Sequence, residues 1–62
     1  MKITWAAARV NAGYKHPQAA EALGVSVNTI IEWEKYRKFP TVDQAEKLCG
    51  FYGCTMQDIL LA

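Results

Sequence analysis

Apolar residues recur along this chain at intervals of three and four, in blocks broken by glycine, proline or a hydroxyl residue. That spacing places each block on one face of a helix. A first helix is predicted from about Thr4 to Ala12, with Thr4 as N-cap, Trp5, Ala8 and Ala12 facing inward and Gly13 as the stop. Tyr14 follows and is expected to tuck under the next helix. A second helix starts near Pro17, whose missing N–H is no loss in a first turn; it turns Ala19, Ala20 and Leu23 inward and ends at Gly24. Ser26 caps a third helix, which runs to about Glu34 and buries Ile30 and Trp33. After the loop YRKFP, Thr41 caps a fourth with a stripe of Val42, Ala45, Leu48 and Cys49, Gly50 falling late in it. Phe51 and Tyr52 are placed in the core or at an interface. Gly53 breaks the chain, and Thr55 caps a short fifth helix holding Met56, Ile59 and Leu60. The expectation is an all-α fold of five helices in one domain spanning residues 1–62.

Residues 16 to 35, HPQAAEALGVSVNTIIEWEK, are the most telling part of the pattern. Ala20 is small enough to let two helix axes approach, and Gly24 accepts a positive φ where the backbone must bend. Two short helices joined by a turn of three or four residues form the unit that lays its second helix in the DNA major groove.

The stretch resembles the helix-turn-helix family of phage Cro proteins and lambda-type repressors, often called the XRE family. Ala20, Gly24, Val25, Ser26, Ile30, Trp33 and Glu34 fall on its pattern, and the likeness extends through Arg9, Ala12-Gly13 and Pro40 to Tyr52-Gly53. The resemblance implies a compact lambda-repressor-like bundle, with helices 2 and 3 as the helix-turn-helix and the N-terminal part of helix 3 on the bases. Val27, Asn28 and Glu32 take the base-reading positions. Asparagine pairs bidentately with adenine, valine touches a thymine methyl, and a carboxylate accepts from the cytosine amine. Lys35, Arg37 and Lys38 on one side of the groove and Lys15 on the other are the expected phosphate contacts, with Ser26, Thr29 and His16 at helix starts, which attract anions. His16 replaces the glutamine usual in the family. The resemblance also implies a structural ion pair between Arg9 and Glu34.

Besides His16, two pairs of residues depart from the family pattern. Ile31 and Glu32 stand where serine and a basic or amide residue are usual, so an exposed Ile31 would mark a protein contact instead. Lys35-Tyr36 replaces an Asn-Gly turn, so a different loop shape is expected there.

Composition alters this picture little. With 62 residues, 52% of them apolar, the chain has a thin core but is not disordered. Seven basic and six acidic residues give a net charge of only +1, so the distribution of charge matters more than its sum. Lys35, Arg37 and Lys38 cluster just after the third helix and Lys15 and His16 sit just before the second, while Asp43, Glu46 and Asp58 lie toward the C-terminal end. No apolar run approaches the roughly 18 residues that span a bilayer. Arg9 and Asn11 interrupt the place where a secretion signal would be apolar, and a cytoplasmic protein is expected.

Cys49 and Cys54 are read as small apolar side chains rather than a disulfide. One histidine cannot complete a zinc site, and no metal or cofactor is expected. Nothing resembles a catalytic arrangement or a phosphate-cradling loop, and no small-molecule substrate is implied. The expected function is a sequence-specific transcriptional regulator of phage or mobile-element type on double-stranded DNA, forming a weak homodimer there, with Phe51, Tyr52, Met56, Ile59 and Leu60 as candidates for that contact or, equally, for the core. The rival is a protein-interaction module of the same fold, an anti-repressor or antitoxin-like partner that does not read DNA.

Overall fold

The computed structural model describes residues 2–60. Four α-helices follow one another: α1 (Trp5–Asn11), α2 (His16–Leu23), α3 (Val27–Glu34) and α4 (Val42–Tyr52). Three of the anticipated caps are made. Thr4, Ser26 and Thr41 each sit in extended backbone and accept from an N–H three residues on, satisfying one orphan donor of the first turn. Gln44 reciprocates at α4, its Oε1 accepting from the Thr41 N–H at 2.9 Å. α2 is started differently: the Lys15 N–H donates to Gln18 Oε1 at 2.8 Å.

Among the described residues the fifth element is short and not an α-helix. Met56–Asp58 form a single 3-10 turn, after which the chain is drawn into extended pairing with the N-terminal segment. The Ile3 N–H donates to the Asp58 carbonyl at 2.8 Å and the Leu60 N–H to the Ile3 carbonyl at 2.7 Å. This pairing across the whole sequence seals Ile59 completely inside the domain.

α2 packs chiefly on α3 and α4, and α1 lies against both α3 and α4. Ala19 and Ala20 are buried where α2 meets its neighbours; with no side chain beyond Cβ they permit close approach. Trp5, Ile30, Trp33, Leu48 and Tyr52 fill the space between. Full burial of a side chain such as Ile30 or Leu48 contributes about 1.5–3 kcal/mol.

Several inward assignments shift. Val42 is 68% exposed, because it occupies the first position of α4, ahead of the turn that meets the core. Ala12 and Leu23 are half-buried. Tyr14 is half-buried against the core and stacks on Phe51 of α4, with ring centroids 4.2 Å apart. Among the described residues no helix is long and apolar enough to cross a membrane.

Candidate nucleic-acid interface

The turn between α2 and α3 depends on Gly24, whose φ of 70° lies in the left-handed region. The Gly24 N–H donates to the Glu21 carbonyl and the Val25 N–H to the Ala20 carbonyl, closing α2 in the pattern that glycine normally permits. Two residues later Ser26 begins α3. Its hydroxyl accepts from the Thr29 N–H at 3.2 Å and shares a hydrogen bond of 2.9 Å with the Thr29 hydroxyl. The start of α3 is thereby satisfied by its own side chains, yet Ser26, Val27 and Asn28 all remain exposed. Thr29 is half-buried, with its hydroxyl engaged in the cap.

Farther along α3, Ile30 and Trp33 anchor the helix in the core. Ile31, expected to be exposed if it marked a protein contact, is half-buried. The Glu32 side chain is only 19% exposed and its carboxylate lies 3.8 Å from Arg37 Nη1. That cation screens the acid, which softens its repulsion of phosphate but holds it back from a base edge.

α3 closes on a residue that the sequence did not single out for the task. Tyr36 takes φ 58°, the only non-glycine positive φ among the described residues. The Arg37 N–H donates to the Glu32 carbonyl and the Tyr36 N–H to the Trp33 carbonyl, so the motif that ends α2 on a glycine is built here on a tyrosine. Holding an L-residue there costs about 1–2 kcal/mol. The Tyr36 hydroxyl offsets part of this by donating to the Leu60 carbonyl at 2.6 Å. The loop makes a left-handed turn and is pinned to the C-terminal segment. Lys35, Arg37 and Lys38 project from it, all exposed, while Lys15 is exposed at the start of α2.

The far end of α3 is fixed by charge. Arg9 Nε donates to Glu34 Oε2 at 2.7 Å, Nη2 to Oε1 at 3.4 Å, and Nη1 to the Tyr14 carbonyl at 2.8 Å. His16 Nε2 approaches the same Oε1 to 3.0 Å. One carboxylate therefore ties together the last turn of α1, the first residue of α2 and the last of α3, and Arg9 extends the tie to the loop after α1. Side-chain exposure is 12% for Arg9, 9% for Glu34 and 36% for His16. The bond between His16 and Glu34 spans 18 residues and has no local signature in the sequence. Next to this cluster, on α4, the Tyr52 hydroxyl is buried without a partner, and its pKa is pushed up to about 12 by burial and then by the Glu34 charge, against the pull of Arg9.

The remaining chemistry lies away from α3. Cys49 is buried and Cys54 half-buried, both as free thiols. Burial, followed by the neighbouring Cys54 thiol, raises the Cys49 pKa to about 12, so that sulfur stays protonated and unreactive. A shallow apolar groove of about 190 Å³ is lined by Trp5, Phe39, Pro40, Val42, Ala45 and Met56. Phe39 is 60% exposed beside it.

Compared with known proteins, the chain matches one family model, described as helix-turn-helix, over residues 6–59. No curated protein and no solved structure matches it.

Proposed function

The chain belongs to the helix-turn-helix family of Cro and lambda-repressor type, a family of DNA-binding regulators and not of enzymes, and on that premise we propose that it is a sequence-specific transcriptional regulator of phage or mobile-element type. The observation that carries this reading is the opening of α3. Ser26, Val27 and Asn28 are exposed on a capped helix whose opposite face is locked into the core by Ile30 and Trp33. A helix of roughly 10–12 Å diameter fits a major groove about 12 Å wide. In this arrangement Asn28 reads adenine, Val27 touches a thymine methyl and Glu32 accepts from cytosine, once Arg37 turns from it to a phosphate. Lys15, His16, Ser26, Thr29, Lys35, Arg37 and Lys38 set the register on the backbone.

Symmetric operators call for two copies one helical turn apart, roughly 34 Å. Of the side chains first assigned to the contact between copies, Tyr52 and Ile59 are buried in their own domain and Phe51 is stacked on Tyr14. Leu60 is 40% exposed, and Phe39 and Val42, which line one groove with Met56, offer the apolar surface for a weak homodimer on DNA. That same surface, with the charge of only +1, favours a second reading in which the domain docks on a protein and reads no DNA.

Selection of bound sites from a random oligonucleotide pool, followed by a gel shift at low salt, separates the two. Enrichment of a defined half-site that Asn28→Ala weakens is the expected result. No shift at micromolar protein would move the assignment to the interaction module.

A further inference from the structure

His16 is the first residue of α2, and the geometry around it fixes which of its nitrogens is free. Its Nε2 lies 3.0 Å from Glu34 Oε1. An ionised carboxylate only accepts, so Nε2 carries the hydrogen, and the neutral ring is the Nε2–H tautomer. Nδ1 has no hydrogen-bond partner among the described residues. Nor is it one of their buried polar atoms without a partner, where Tyr52 Oη stands alone. Nδ1 is therefore open to water.

This arrangement conflicts with a neutral His16 gripping DNA. In the neutral ring Nδ1 presents a lone pair, and phosphate oxygens present lone pairs as well; two acceptors repel. Only the imidazolium donates from both nitrogens, to Glu34 and to a phosphate at once. We propose that His16 contacts a backbone phosphate only as the imidazolium, so that DNA binding draws a proton to this residue wherever the free ring lacks one. The proton comes from solvent and forms the Nδ1–H bond that the phosphate then accepts. The inference rests on the DNA-binding reading above and assigns the chemistry of one of its contacts.

Charges on every element packed around the ring bear on this step. Glu34 on α3 favours the imidazolium. Arg9 on α1 opposes it while neutralising the same carboxylate, and Lys15 and the positive end of α2 oppose it too. Tyr52 on α4 adds no charge, since its phenol holds its proton to about pH 12. With His16 neutral the trio of Arg9, Glu34 and His16 has no net charge; with it protonated the trio is singly positive. An arriving phosphate adds a negative charge that accepts from the Nδ1–H of the imidazolium and not from the neutral ring, which is what couples the proton to the DNA.

His16 is the single histidine of the chain, so the test isolates it. Affinity for a short labelled duplex of random sequence is measured by anisotropy at constant low salt from about pH 5.5 to 7.5, the range in which imidazoles titrate. For the parent domain affinity falls about five- to tenfold as pH rises across this window. In His16→Gln, whose amide donates at any pH, it stays level. Calorimetry of the parent near neutral pH, in two buffers of different ionisation heat, then shows proton uptake on binding. That count stands by itself if His16→Gln fails to fold. Binding without proton uptake, or equal pH slopes in the two proteins, overturns the inference alone. A His16→Gln protein that is less stable but keeps the parent's pH slope reduces His16 to a structural tie and also overturns it. No binding at any pH removes the DNA reading itself, and this inference with it.

Discussion

At the scale of single residues, the described part of the domain contains one polar site that needs all its partners and one buried side-chain polar atom that has none. The Glu34 carboxylate is 9% exposed and is held by Arg9 and His16. Truncating one partner of a buried pair leaves an uncompensated charge, at a cost of about 3–5 kcal/mol. Domains of this kind have roughly 5–15 kcal/mol in total. Arg9→Ala should therefore lose its cooperative melt or lower Tm by more than about 10 °C; a Tm within a degree or two of the parent would refute the buried pairing. Tyr52→Phe should behave in the opposite way. Its hydroxyl is buried without a partner, and deleting an unsatisfied oxygen is neutral or stabilises by up to about 1 kcal/mol. The pH dependence follows with a definite sign. An unfolded tyrosine titrates near 10, whereas Tyr52 in the fold titrates at about 12. Its contribution is complete below pH 10 and is lost as pH rises toward 12, because only the unfolded chain releases the proton there. Alkaline melts of Tyr52→Phe should lack that part of the decline. None of this was legible residue by residue. Arg9 and Glu34 were paired only through the family resemblance, and the lone hydroxyl arises from packing between α4 and the ion cluster.

At the scale of elements, the local chemistry of helix ends was readable, while pairings distant in sequence were not. Thr4, Ser26 and Thr41 cap as their types suggest, since a cap is decided within four residues. The 3-10 turn at Met56–Asp58 is different. Thr55 looks like a helix start, but Ile3 takes the Leu60 N–H that a longer helix would have used internally. The apolar stripe misplaced Val42 for a similar reason: periodicity gives a face, not the turn at which that face meets a neighbour. α2 and α3 also end in the same left-handed motif on residues of very different kind, Gly24 and Tyr36. A Cβ added to Gly24 meets nothing within 4 Å, so Gly24→Ala should cost only the backbone strain, about 1–2 kcal/mol in urea unfolding. A much larger loss would mean that α2 and α3 meet more tightly at the turn than this geometry allows. Tyr36 bears a comparable strain, but its hydroxyl on Leu60 returns some of it in tertiary contact.

At the scale of the whole molecule, a domain of net charge +1 must draw its hold on a polyanion from where its charges lie. Lys15, Lys35, Arg37 and Lys38 are exposed around α3, while Asp43 and Glu46 belong to α4 and Asp58 to the turn after it. The four phosphate contacts made by lysine and arginine predict, per protomer, a slope of log affinity against log salt of about −3.6. Replacing Lys35 and Lys38 by glutamine should bring the slope to about −1.8 and weaken all sequences alike. Asn28→Ala should leave the slope untouched and cost about 1–3 kcal/mol on the selected site alone. The two variants thus divide the grip on the backbone from the reading of bases. The arrangement of the charges was visible in the sequence, because Lys35, Arg37 and Lys38 adjoin a helix whose inner face Ile30 and Trp33 define. Arg37 is the exception, lying 3.8 Å from Glu32 before any DNA is present. If that contact survives binding, Arg37 releases no counterion and the parent slope drops to about −2.7, with Arg37→Gln leaving it unchanged. A parent slope near −3.6 that Arg37→Gln reduces shows instead that the pair opens on DNA, freeing Glu32 for a base edge at the moment its cation moves to the phosphates.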